Sequence, residues 1–280
     1  MSTLTSFDDS WSLSNERRGH LISLAYDAHC HYHLDESSEA VAERSDLLNE
    51  LGGATLMAMG EQDWDQVRSV SQKDSLAHYA LGVHPWLAHH YMGRRDWLAS
   101  LEDRLRSDSR AVVGEIGLDR KWRAPETDVV EYQAQRDVFL AQLKLAGELG
   151  RPVSVHCVKA QGDLYKALDQ CAELPPAIYF HAFGGAVGTA EQLLRSKRFG
   201  DRLYFGFAAC VNLRSPKTRA VIQSIPHDRL LLESDRSSPS EVKRELIKML
   251  MTYREAKSWE SLEEVARQTS QNAETFYRSR

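Results

Sequence analysis

Cysteine is scarce in this sequence, basic charge is not in excess, and long apolar runs are missing. The four cysteines, Cys30, Cys157, Cys171 and Cys210, form no CxxC pair and no regular framework. With no signal-peptide pattern at the start, reduced thiols in an intracellular compartment, cytoplasmic or nuclear, are expected. Lysine and arginine total 35 against 40 acidic residues, a net charge of −5. That argues against a protein that wraps nucleic acid through a broad basic face. It leaves nucleic acid open as a substrate, because bound cations can supply positive charge locally. No apolar stretch approaches the ~20 residues that cross a bilayer, so no membrane association is expected. Also missing is a glycine-rich loop after the first strand-like segment, which ends in His29-Cys30-His31-Tyr32-His33. An open dinucleotide-binding sheet would carry one there.

What is present suits a packed α/β enzyme. Hydrophobic residues make up 42% of the 280 and charged residues 27%. The length fits one barrel, which typically needs roughly 250 residues. The first twenty residues, with Ser10, Trp11, Asn15, Glu16 and Arg17, are polar and aperiodic and read as a loose arm or short cap. From there eight strand-like segments follow: Leu21–His31, Ala54–Gly60, Leu76–Val83, Ala111–Leu118, Pro152–Val158, Ala177–Phe183, Leu203–Val211 and Leu230–Asp235. Helical spacing marks Glu39–Leu51, Trp97–Leu105, Val129–Leu149, Glu241–Tyr253 and Leu262–Tyr277. Strict alternation implies a parallel sheet, and eight repeats favour closure. The expected fold is a single (β/α)8 TIM barrel over residues 1–280, with the additional C-terminal helix packed outside it.

Chemistry collects where the strands end. The first strand finishes in Asp27-Ala28-His29-Cys30-His31, and alternation puts both imidazoles on one face. The fourth ends in Gly114-Glu115-Ile116-Gly117-Leu118-Asp119, the fifth reaches His156, the sixth His181, and the eighth Glu233-Ser234-Asp235. Barrel enzymes carry their sites on this rim. Taken singly, each signal has a bland explanation. A His-x-His is usually an ordinary polar pair, Glu115 and Asp235 could cap turns, and His156 and His181 could be satisfied core residues. All five explanations must hold together for the site to vanish. Imidazole and carboxylate donors suit divalent zinc, manganese or magnesium, and there are more donors than one tetrahedral ion needs. His84 ends the third strand and lines the pocket, and His33 lies one alternation beyond His31. His20, His78, His89, His90 and His227 receive no role. Trp64, Trp97 and Trp259 are expected to pack helices, while Trp86 and Trp122 fall in strand-end loops, where an aromatic could stack on a base or shield metals from water.

Taken in order, these segments resemble the TatD family of metal-dependent hydrolases, a branch of the amidohydrolase superfamily. The matching elements are the Asp27–His31 run, Gly82-Val83-His84-Pro85, the Gly114–Asp119 run, Pro152–His156, His181-Ala182-Phe183-Gly184-Gly185 and Leu231–Asp235. The helix with Gln135, Phe139 and Gln142 and the closing Asn272-Ala273-Glu274-Thr275-Phe276 agree, so the likeness runs from about Leu24 to Phe276. It implies a TIM barrel with one to three divalent metals and hydrolysis of phosphodiester bonds, usually described as deoxyribonuclease activity. By that resemblance His29, His31 and Asp235 hold one metal, His156 and His181 another, and Glu115 bridges them. Asp235 is also implied as the general base toward a metal-activated water. Two positions depart from the family. Val158 stands where an arginine is common and Ser237 where a proline is common, leaving Lys159 and Arg236 as substitutes for phosphate binding. The Asp119–Arg123 and His156–Ala160 stretches look closer to a fungal subgroup.

Three functions fit. The first is a deoxyribonuclease acting on DNA ends or short single strands, with catalytic Glu115 and Asp235 and substrate contacts from His84, Lys159 and Arg236. The second is a hydrolase of a small ester, lactone or amide, which shares barrel and ligands. The third is an interaction protein that keeps the barrel, and it ranks last because no ligand is lost.

Overall fold

The computed structural model describes residues 13–279 other than 75, 77 and 95. Ser10 and Trp11 lie outside the described residues. The Ser14 hydroxyl accepts the Arg17 N–H at 3.2 Å and so caps helix α1, Asn15–Leu24. This corrects two expectations. Residues 15–20 are helical rather than a loose arm, and Leu21–Leu24 are the last turn of α1 rather than the start of a strand. Leu21 and Ile22 are buried against the barrel, and a short apolar run reads alike in a buried helix turn and a buried strand.

Eight parallel strands follow: β1 Tyr26–Cys30, β2 Gly53–Met57, β3 His78–Leu81, β4 Ala111–Asp119, β5 Val153–Val158, β6 Ile178–Phe180, β7 Leu203–Phe207 and β8 Leu230–Leu232. Each pairs with the next in chain order. Helices α2 Ser38–Glu50, α3 Trp64–Lys73, α4 Asp96–Ser107, α5 Tyr132–Glu148, α6 Gln161–Gln170 and α7 Val187–Leu194 occupy the connections. A short turn α8, Ala209–Asn212, and α9, Thr218–Ser224, lie between β7 and β8, and α10, Pro239–Lys257, and α11, Leu262–Tyr277, follow β8. The observed strands are mostly shorter than expected. Phe207 ends β7, and the Ala209–Val211 stretch that reads as strand turns into α8.

The barrel closes at its last and first strands, beyond the end of β8. Asp235 donates its N–H to the His29 carbonyl at 3.0 Å, and His31 donates to the Arg236 carbonyl at 2.8 Å. The buried Asp27 carboxylate reinforces this seam, accepting the Ser234 N–H at 2.9 Å and the Tyr32 hydroxyl. A large apolar cluster fills the space between strands and helices, and a second one gathers Ala28, Met57, Ala80, Val112 and Leu231. Paired registers such as Met57↔Ala80↔Val112 put this second set on the face toward the barrel axis. Here α11 departs from expectation. It does not lie wholly outside, because Ala273, Phe276 and Tyr277 join the inner cluster and the Tyr277 hydroxyl donates to the Ala28 carbonyl. Trp64, Trp97 and Trp259 are buried, as their helix-packing assignment requires. Among the described residues no helix is long and apolar enough to cross a membrane.

Candidate metal centre

Glu115 sits in the long strand β4, whose nine residues, apolar but for Glu115 and Asp119, are all buried. Its carboxylate is therefore withdrawn from water, and only neighbouring side chains can satisfy it. They come from five other places on the same rim. Toward Oε2 stand His29 Nε2 at 3.1 Å and His31 Nε2 at 3.3 Å. Toward Oε1 stand His84 Nε2 at 3.2 Å, His156 Nδ1 at 2.8 Å and His181 Nε2 at 2.6 Å. Asp235 Oδ1 faces the first pair, 3.9 Å from His29 and 3.7 Å from His31. The six residues expected to converge do converge. His84, expected to line the pocket and contact substrate, belongs to the same ring of donors.

Outer hydrogen bonds fix which ring nitrogens point inward. His31 donates Nδ1–H to the Met57 carbonyl at 2.9 Å, which leaves Nε2 as the electron-pair donor. His29 Nδ1 meets Ser154 Oγ at 3.0 Å, and its ring stacks on His181 with centroids 3.8 Å apart. His156 turns Nε2 toward Asp119 Oδ2, 3.4 Å away, and so presents Nδ1 to Glu115. Asp119 Oδ1 in turn accepts the backbone N–H groups of Lys121 and Trp122 at 2.7 and 3.0 Å. Beneath the ring, Glu233 accepts the Tyr179 hydroxyl and the Ala182 N–H, the latter at 2.6 Å, which anchors the turn after His181.

Burial and neighbouring charges oppose one another throughout the centre. Burial raises the Glu115 carboxyl, but His181, His84 and His29 outweigh it and hold the group well below the carboxylate range. Burial depresses His29 well below its usual value and His84 to about 4. His156 goes the other way, to about 9, because Asp119 and Glu115 overcome its burial. His156 Nδ1 and His181 Nε2, only 3.2 Å apart, both face one oxygen of Glu115. Such a crowd cannot all be protonated, whereas neutral imidazoles with two carboxylates form a donor set that fits divalent ions. Among the described residues four triads have donor atoms within 4.8 Å of one another; His89, His90 and Glu126 stand apart near the surface, and three belong to the centre: His29, His31 and Glu115; His29, His181 and Asp235; and His84, Glu115 and His156. These three share His29 or Glu115.

The other expected site residues lie farther out. Lys159 is exposed after β5 at a positive φ of 55°. Arg236 directs its guanidinium to Glu241 at 3.0 Å and Glu245 at 3.4 Å. His33 is buried and meets Asp63 at 3.0 Å. Sequence reasoning assigned no role to Asp27, Asp119 or Ser154. Asp119 ends a quoted motif and Asp27 stands two residues before His29, so position alone hints at both. Ser154 carries no such signal.

The sequence profile described as TatD related DNase matches residues 26–278. The Cut9-interacting protein scn1 of Schizosaccharomyces pombe is 28% identical over 222 residues, 63% of this chain and 66% of that protein. The 3'-5' ssDNA/RNA exonuclease TatD of Edwardsiella piscicida is 35% identical over 158 residues, 55% of each chain. The chain thus spans less than two thirds of either relative's length. Among solved structures, the TatD homologue YjjV of Escherichia coli superposes with a TM-score of 0.75 at 25% identity, covering 91% of this chain and 98% of that one.

Proposed function

This chain belongs to the TatD related DNase family and is a metal-dependent hydrolase, and from that premise we propose that it cleaves phosphodiester bonds in DNA ends or short single strands. The observation that carries the proposal is the bridging position of Glu115, with two imidazoles on one oxygen, three on the other, and Asp235 beside them. His29, His31 and Asp235 would hold one divalent ion, His156 and His181 a second, with Glu115 shared. When bound, such ions supply Lewis acidity to a phosphoryl oxygen and lower the pKa of water.

The chain's own groups do the rest. The Asp235 side chain is 20% exposed, against 2% for Glu115, so it is the carboxylate of the centre that incoming water can reach. It takes the proton as water attacks phosphorus. Asp119 holds the His156 ring in place, and Ser154 and the Met57 carbonyl do the same for His29 and His31. Lys159, exposed just beyond β5, is available to meet a phosphate. The names of relatives such as the exonuclease of E. piscicida support single-stranded nucleic acid as the substrate class.

A second reading, hydrolysis of a small ester, lactone or amide, is favoured by one observation: Arg236 is engaged by Glu241 and Glu245. One experiment separates the two. End-labelled single-stranded DNA and RNA, duplex DNA and a panel of esters and lactones are incubated with the protein and manganese, magnesium or zinc. Shortening of single strands, abolished by chelator, is the expected result. Turnover of the small esters alone would move the assignment to the second reading.

A further inference from the structure

The 3-10 helix after β3, Pro85–Tyr91, and the loop after β4 each place an indole at the mouth of the centre. Trp86 and Trp122 lie nearly parallel, 10° apart, with ring centroids at 6.1 Å. Trp86 abuts the edge of His84 at 4.7 Å and lies 6.1 Å from His156, both of which touch Glu115 Oε1. One carboxylate ties the pair to the centre. Asp119 Oδ2 accepts Trp86 Nε1–H at 2.9 Å and faces His156 Nε2, while Oδ1 accepts the Trp122 backbone N–H. Trp86 nevertheless keeps 37% of its surface in water. The hydrolytic machinery as described has no use for either indole.

We propose that Trp86 and Trp122 form a stacking subsite for an unpaired nucleobase adjoining the phosphodiester that is hydrolysed. This rests on the nuclease reading and adds to it what the enzyme grips. An indole held by a hydrogen bond and by rings on its edges is a preorganised flat surface, and every nucleobase has a flat face to lay on it. The placement matches a nucleotide: one sugar separates a base from its own phosphate, and one imidazole, His84, separates Trp86 from Glu115. A base inside a duplex has both faces covered, so only an unpaired or extruded one can take this position. The subsite therefore selects single strands by stacking rather than by charge, which suits a chain with no basic excess. Its grip is indifferent to sequence.

The test uses the manganese-loaded protein and two single-stranded oligonucleotides of equal length, one of thymidines throughout and one abasic at the two terminal nucleotides of both ends. The wild type should cleave the abasic strand with kcat/KM lower by roughly ten- to a hundredfold, the range that base–aromatic stacking spans. Trp122→Ala should erase most of that ratio. Trp86→Phe, which keeps a flat ring without the indole N–H, should retain most of it. Equal rates on the two strands by the wild type would overturn the subsite and leave the nuclease reading standing. Cleavage of neither strand would overturn both. A measurement without variants guards against misfolding: thymidine 5'-monophosphate should quench tryptophan fluorescence, and deoxyribose 5-phosphate should not. Equal quenching by the two, or none by either, would count against stacking.

Discussion

Glu115 is buried and meets five imidazoles, so its charge cannot be removed without disturbing every one of them. Glu115→Gln keeps the shape and deletes the charge. It should abolish metal retention, measured as metal content per chain after desalting, and activity with it. Asp235→Asn is a different perturbation. It leaves Glu115 intact and removes the proposed proton acceptor, so turnover should fall at least ~100-fold with circular dichroism unchanged, and any weakening of metal binding would add to that loss. Near-wild-type kcat in Asp235→Asn would sink the proposed role. The convergence of the candidate ligands is legible in the sequence because barrel strands deliver their last residues to one rim, so strand ends can be compared without knowing distances. The supporting bonds were not legible. Ser154 reaches His29 across the barrel interior, and Asp119 meets His156 through the pairing of β4 with β5. Such approaches depend on register, which no local spacing reveals. The approach of His84 to Glu115 depends on register in the same way.

Elements show where pattern reading stops. Helices with long stripes were placed well, and Leu262–Tyr277 matches its expected span. Short helices such as α3, α6 and α7 give no readable period, because fewer than three turns hold too few apolar positions. Strand ends were overextended where the apolar run continues into a turn, as after Phe207. One close approach has a testable cost. Gly117 pairs with His156 between β4 and β5. It has a φ of +156°, and a Cβ there would lie 1.9 Å from the His156 carbonyl oxygen. Gly117→Ala should destabilise the barrel by about 1–3 kcal/mol through overpacking, read from urea midpoints. Because the strain falls on the backbone of a donor residue, metal affinity should weaken too. An unchanged midpoint would show that the strands slide apart freely.

At the scale of the whole molecule, the candidate centre draws its donors from strands all round the barrel. Donors come from β1, β4 and β5 and from the residues just beyond β3, β6 and β8, so an ion bound there should resist opening of the entire barrel. At a free metal concentration of 100 times Kd, stabilisation of about 2.7 kcal/mol is expected. Thermal unfolding should move upward on adding manganese or zinc and downward with a chelator, whereas Glu115→Gln should respond to neither. A melting temperature indifferent to metal in the wild type would place the ion elsewhere. The closing seam has one more consequence, and it concerns synthesis. Asp27 and the Ser234 N–H that it holds are 207 positions apart. At typical translation speeds a ribosome needs on the order of 10–40 s to cover that interval. Throughout it, the nascent chain displays His29 and His31 beside an open sheet edge, with no eighth strand to cover it and no Asp235 to complete a cage. Unpaired edges of this kind invite misassociation. Chaperone demand should therefore peak before β8 leaves the exit tunnel, and premature termination upstream of Leu230 should yield insoluble, metal-free fragments.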